Sequence, residues 1–203
     1  MLTEPHTGIG QFCKTVLSEL SLKDENNQYV FLVHKEVPES VKKLFGKNVE
    51  IKVLAEKKIG TAGMKKVWWE QITVPEYIEK VKADVAYFSY SSNPWTKDWY
   101  KKGIKTVVTV HDCIPWLHEA YSRSLLSRMY HRQSRLAVKL ADKVVTVSEA
   151  SKDDIKKICS VPEEKISVIY NDVSEIYKEE PKEKLIAEVL KKFNLKEKGF
   201  LLY

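Results

Sequence analysis

The stretch KTVVTVHDCIPW, residues 105 to 116, concentrates the most chemistry in this sequence. Its β-branched run Thr106 to Val110 reads as a buried strand, and Pro115 stops that strand from continuing. The strand therefore delivers His111 and Asp112 to its carboxyl end. In an open parallel sheet that end faces the ligand crevice. An imidazole beside a carboxylate can work there as an acid/base and hydrogen-bonding couple toward a hydroxyl. The same residues also fit a plainer arrangement, in which the histidine caps a loop and the aspartate begins a turn.

Three further stretches carry candidate groups. In KVVTVSEASKDDI, residues 143 to 155, a strand ends at Val147 and Ser148 stands at the N-cap of the helix that follows. The free N–H groups of such a helix start suit a phosphate, although Glu149, Asp153 and Asp154 already complement its dipole, so simple capping explains Ser148 as well. The opening HTGIGQF places Gly8, Ile9 and Gly10 at another helix start. Without Cβ atoms at Gly8 and Gly10 a ligand can approach the backbone N–H groups, but the third glycine of a dinucleotide fingerprint is missing and a helix-entry turn needs nothing more. Finally YFSYSSNPW, residues 87 to 95, runs a strand out into a polar loop with aromatic walls, including Asn93. Such a loop suits sugars and other polyols, and its composition is also that of any turn.

Other chemistries lack their residues. There is no G-x-x-x-x-G-K-[ST], no H-E-x-x-H, no G-x-S-x-G, and no cysteine or histidine cluster at metal spacing, so no metal is expected. His6, His34, His118 and His131 read as loop or surface residues. Cys13, Cys113 and Cys159 are odd in number and lie in apolar stretches, which points to a reduced, cytoplasmic protein. The 34 basic and 28 acidic residues give a net charge of +6, spread over lysine pairs rather than massed, which argues against nucleic acid as a partner. No apolar run approaches the ~18 residues that span a bilayer, and no signal-peptide pattern opens the chain.

The elements that must position these groups are legible in the periodicity. Short apolar runs at Tyr29 to Val33, Val49 to Val53, Val85 to Ser89, Thr106 to Val110, Val144 to Val147, Ile166 to Ile169 and Phe200 to Tyr203 alternate with helical segments, the rhythm of a parallel sheet wrapped by helices. Ile9, Phe12, Cys13, Val16, Leu17 and Leu20 predict a helix over 10–22. Residues 65 to 81 predict a helix interrupted near Pro75. Residues 122 to 141 predict a long helix burying Leu125, Leu126, Met129, Leu136 and Leu140 and presenting Arg128, Arg132, Arg135 and Lys139 outward, as a solvated face or a docking face for an acidic partner or membrane. With 203 residues and 43% hydrophobic content, the chain can bury one full domain core.

Taken together, these stretches resemble the N-terminal domain of family 4 glycosyltransferases, enzymes of the GT-B fold. GIGQFCKTVLSEL is similar to the family's GIGRY loop and helix, WWEQITVPEYIEKVKADVAYFSYSSNPW to its W-E-Q…P helix and following strand, and TVVTVHDCIPW to its H-D-x-x-P segment. ADKVVTVSEASKDDI resembles its D-x-V-x-x-V-S-x-x-S segment. VPEEKISVIYNDVSEIY is similar to its K-I-x-V-I-x-N-G-V, with YND at 170 to 172 lacking the usual glycine. Five such segments in order, across residues 8 to 177, make the match specific.

The resemblance implies a Rossmann-like parallel sheet and transfer of a sugar from a nucleotide-sugar, with retention, to a glycan or lipid-linked acceptor, as in polysaccharide biosynthesis. It implies that Gly8, Ile9 and Gly10 line the donor diphosphate and acceptor cleft, that His111 meets the transferring sugar or acceptor hydroxyl with Asp112 in support, and that Asn93 and Ser148 lie at the cleft. Residues 1–178 would form the acceptor-side domain. Residues 179–203 would hold a linker helix and the first strand of a C-terminal donor-binding domain, without which the chain is expected to be inactive. Only Met1 to Thr7 precede the glycines, so the family's first strand is expected to be missing, its place open or filled by FLLY of this chain or of a second copy in a homo-oligomer. A cytoplasmic protein is expected, peripheral at the membrane's inner face if a partner takes it there. The competing expectation is a noncatalytic binding module on the same half-fold.

Overall fold

The computed structural model describes residues 2, 7–56, 60–173, 179–197 and 199–200. They fall into two compact units, Met1–Tyr170 and Asn171–Tyr203, a division that lies ahead of residue 178.

In the first unit, six strands are all parallel among the described residues. Strands β1 (Tyr29–Val33) and β2 (Val49–Val53) form one sheet; β3 (Val85–Phe88), β4 (Lys105–Thr109), β5 (Lys143–Thr146) and β6 (Ile166–Val168) form another, in chain order. Helical crossovers join them, as parallel pairing requires. The α/β, Rossmann-like architecture expected from the sequence is the one observed. The expectations for a first strand at residues 1–6 and for FLLY fall on residues outside those described, apart from Leu2 and Phe200.

Each sheet has its own core. Leu2, Cys13, Phe31, Val33, Val37 and Val41 surround the smaller sheet. The larger one buries Val108, Val138, Val144 and Ile155 completely, with Phe88, Val110, Cys113 and Cys159 beside them. Each of these valine, isoleucine and phenylalanine side chains contributes about 1.5–3 kcal/mol by leaving water. Side chains bridge the sheets: Leu32 and Leu54 pack on the larger core, and the Trp69 indole N–H donates to the Leu54 carbonyl at 2.7 Å. Asp142 ties neighbouring strands at their amino ends, its carboxylate accepting from Thr106 N–H at 2.9 Å and pairing with Lys105 at 3.3 Å. All three cysteines are buried and free.

The helices explain two differences from the sequence reading. Helix α2 is a single turn, Glu39–Lys42. Helix α3 (Ala62–Trp68) continues without a break through a π-helical turn, Trp69–Thr73, into α4 (Val74–Lys80). The interruption expected near Pro75 is thus a π turn just ahead of it. Proline has no N–H to give the carbonyl of Gln71, and the wider turn absorbs the mismatch.

Helix α6 (Leu125–Leu140) opens on a capping box in which Ser124 Oγ accepts from Ser127 N–H at 3.1 Å and Ser127 Oγ accepts from Ser124 N–H at 3.0 Å. Its inner face corrects the sequence expectation. Ser134, Ala137 and Val138 are buried, whereas Leu125, Met129 and Leu136 are 85%, 44% and 47% exposed. Small residues let this helix come close enough for the Asn93 amide to reach the Ala137 carbonyl at 2.8 Å. Leucines there would hold it off.

In the second unit, α8 (Glu183–Lys192) buries no side chain and exposes Leu185, Ile186 and Val189, in keeping with a connector or surface helix.

Candidate active site

Helix α1 (Gly8–Lys23) starts earlier than its periodicity suggests, so Gly8, Ile9 and Gly10 form its first turn rather than a preceding loop. Thr7 is the reason. Its Oγ1 accepts from Gly10 N–H at 3.0 Å and its carbonyl from Gln11 N–H at 2.8 Å. Gly10 therefore spends its N–H on the cap, leaving Gly8 and Ile9 to supply the first-turn donors. Among the described residues, a Cβ on Gly8 would meet no atom within 4 Å.

His111 lies two residues beyond β4, after Val110. Its Nε2 lies 3.0 Å from the carbonyl of Ser89, the residue after β3. A carbonyl only accepts, so Nε2 carries a proton there, and in the neutral form of the ring the lone pair is on Nδ1. Phe12 of α1 packs against the ring in a T-shaped contact, centroids 4.6 Å apart. The backbone carbonyl of His111 accepts from Ser151 Oγ at 3.2 Å, in the first turn of α7 (Glu149–Cys159). Helix α1, the start of α7 and the carboxyl ends of two strands thus meet at one histidine, α1 and the Ser89 carbonyl at its ring and α7 at its backbone.

The other candidates hold the framework of this site. Asp112 Oδ1 accepts from Ile114 N–H at 2.8 Å and opens the short helix α5 (Ile114–Leu117), the turn-starting role left open by the sequence. Ser148 Oγ accepts from Ser151 N–H at 3.1 Å and so caps α7. Asn93 is completely buried: its Nδ2 donates to Tyr100 Oη and to the Ala137 carbonyl, both at 2.8 Å. That side chain anchors the loop after β3 from within. Ser151 links Ser148 to the His111 carbonyl, and Gly8 and Ile9 open the helix whose Phe12 packs on the His111 ring; Asn93 is buried in the core.

Sequence reasoning missed Phe12, Ser89 and Ser151, which touch His111. Phe12 reads as one apolar position of an amphipathic helix, and Ser89 acts through a carbonyl that every residue has. Cys13, beside Phe12, is 1% exposed. Burial pushes its thiol pKa up, opposed by a hydrogen bond with Ser89. The Tyr87 hydroxyl and Thr109 Oγ1 lie 2.9 Å apart across β3 and β4, and burial raises the Tyr87 pKa. Among the described residues, no group of three or more His, Cys, Asp or Glu side chains could hold a metal ion, and no helix is long and apolar enough to cross a membrane.

Residues 30–174 match the model of Glycosyltransferase Family 4. The chain belongs to this family. Asn93, His111, Asp112 and Ser148 lie within the family 4 match, whereas Gly8, Ile9, Gly10 and Phe12 precede it.

Similar proteins agree with that membership. The O-antigen chain mannosyltransferase RfbU of Salmonella typhimurium is 43% identical over 68 residues, which are 33% of this chain and 18% of that protein. Anabaena HepE, solved in complex with UDP and glucose, superposes with a TM-score of 0.57 at 14% identity, covering 94% of this chain and 48% of its own. A glycosyltransferase from Rickettsia africae gives 0.52 at 18% identity, covering 94% and 47%. At these identities the two structures bear on the fold, which is the Rossmann-like half of GT-B. This chain spans about half the length of either.

Proposed function

We propose that this chain is the acceptor-binding half of a two-domain, retaining family 4 glycosyltransferase, which moves a sugar from a nucleotide-sugar to a glycan or lipid-linked acceptor. The observation that carries the reading is the convergence of α1, β3, β4 and α7 on His111. With its proton engaged by Ser89, the ring offers Nδ1 to a hydroxyl of the transferring sugar or of the acceptor. The Gly8 and Ile9 N–H groups suit the donor diphosphate or an anionic part of the acceptor. Asp112 and Ser148 support the ring through the turns they cap. The relatives favour a nucleotide-sugar, since HepE was solved with UDP and glucose, and polysaccharide assembly, since RfbU is an O-antigen mannosyltransferase.

A C-terminal domain would supply the remaining donor contacts, in cis or as a partner, and no metal is assigned a part. We place the protein in the cytoplasm, peripheral at the inner face of the membrane, with the exposed Arg128, Arg132 and Lys139 of α6 toward anionic lipid.

The test joins this chain to a family 4 donor-binding domain and follows nucleotide release from a panel of nucleotide-sugars. The chain alone should release none above background. His111→Ala should lower turnover of the joined enzyme about a hundredfold, and product anomers read by NMR should keep the donor's configuration. Unchanged turnover in His111→Ala would overturn the role given to His111, and no turnover by the joined protein with any nucleotide-sugar would favour a noncatalytic binding module.

A further inference from the structure

Among the described residues, Glu70 is the one buried carboxylate, its side chain 1% exposed. An ionised group so placed is costly unless each oxygen is partnered. Here each oxygen is. Tyr90 Oη donates to Oε1, Lys66 Nζ lies 3.1 Å from Oε1, and Tyr130 Oη donates to Oε2 at 3.0 Å. Lys66 Nζ also lies 4.3 Å above the Tyr130 ring.

Glu70 sits in the π turn Trp69–Thr73, a local irregularity common at functional sites. Its neighbour Gln71 grips the same loop further along: Oε1 accepts from Trp95 N–H at 2.9 Å, and Nε2 donates to the Ser92 and Asn93 carbonyls at 3.3 and 3.4 Å. The π turn thus clamps the loop from Tyr90 to Trp95. The residue immediately before Tyr90 is Ser89, whose carbonyl accepts from His111 Nε2–H.

We infer that Glu70 is a positioning residue for His111: through Tyr90 it fixes the Ser89 carbonyl, which keeps the imidazole proton on Nε2 and the lone pair on Nδ1. The inference rests on the reading that His111 meets the sugar or the acceptor hydroxyl. It gives a buried acid that touches no substrate a defined part in the reaction, the choice of tautomer. A carboxylate serving stability alone would leave the tautomer where it is.

The tautomer of His111 can be read in the full, nitrogen-15-labelled chain from two-bond proton–nitrogen correlations of its ring, assigned against His111→Ala. Tyr90→Phe deletes one hydroxyl, Glu70→Met removes both acceptors, and Glu70→Gln keeps an acceptor for Tyr90. Losing one hydrogen bond should move the Nε2–H to Nδ1–H ratio about fivefold toward Nδ1–H in the first two variants, with Glu70→Gln restoring most of the wild-type ratio. A wild-type ratio in Tyr90→Phe, whose amide spectrum reports that it is folded, would overturn the inference even if Glu70→Met fails to fold. The transfer assay separates the two readings. A moved tautomer with unchanged turnover in His111→Ala keeps the hold of Glu70 on the ring but removes the ring's role in the reaction. A wild-type tautomer together with a loss in His111→Ala leaves that role standing and removes Glu70 from it.

Discussion

Phe12 and His111 meet edge to face, 4.6 Å apart between ring centroids and 87° between planes, and this contact joins the first helix to the end of β4. Such a pair contributes about 0.5–1.5 kcal/mol beyond the area it buries. Phe12→Leu keeps an apolar side chain and loses the contact, so urea unfolding should show a loss of about 1 kcal/mol. In the joined enzyme turnover should fall as well, because the imidazole loses one wall. A variant with the stability loss and undiminished turnover would show that the ring is held without Phe12.

Asp112 offers a way to separate turn from charge. Its Oδ1 accepts from Ile114 N–H, a bond that Asn can also make. Asp112→Asn should leave stability unchanged and Asp112→Ala should cost about 1 kcal/mol, both read by thermal unfolding. If the turn is all that Asp112 supplies, turnover follows the same order. Equal losses in both variants would show that its negative charge supports His111 directly.

Asn93 is a test of depth in the fold. Its amide donates to the Ala137 carbonyl and to Tyr100 Oη, so Asn93→Ala removes two buried hydrogen bonds, leaves a cavity and should cost about 2–3 kcal/mol. Chemical denaturation measures this. A stable variant with a raised KM would instead make Asn93 a sugar contact.

Two carboxylates set an acid limit. The Tyr29 hydroxyl, with Asn27 and the Asn26 N–H, lowers the Asp24 pKa to about 2, and Lys156 with Lys152 lowers that of Glu163 to about 2. Both values lie below the ordinary carboxylate pKa of about 4. Stability from these groups is therefore fully present above pH ~4 and is lost as pH falls toward 2. Thermal midpoints between those values should drop less steeply in Asp24→Asn and in Glu163→Gln than in the wild type.

Much of this was legible in the sequence because it depends on local chemistry. Tyr29–Val33 and Val49–Val53 are strands at their expected bounds, since β-branched and aromatic runs flanked by polar turns leave little alternative. His111 was identifiable as a strand-end residue because Pro115 limits the strand. What escaped depends on partners distant in sequence. The face that α6 buries is decided by how closely Asn93 and Trp116 approach it, the latter donating to Ser134 Oγ at 3.2 Å, and hydropathy pointed instead to its leucines. Glu70 reads as a polar helix residue until Tyr90 and Tyr130 are seen closing over it. The bounds of α1 turned on one threonine hydroxyl.

The three sequestered thiols make the protein a clock for its own opening. Cys13 lies in the smaller sheet's core, and Cys113 and Cys159 lie in the larger one. Burial raises the Cys13 pKa and pushes those of Cys113 and Cys159 up to about 12. A thiol-directed reagent must then wait for each core to breathe. A single labelling rate for all three would mean that both cores open as one cooperative body, and an early Cys13 would mean that the β1–β2 layer comes away first.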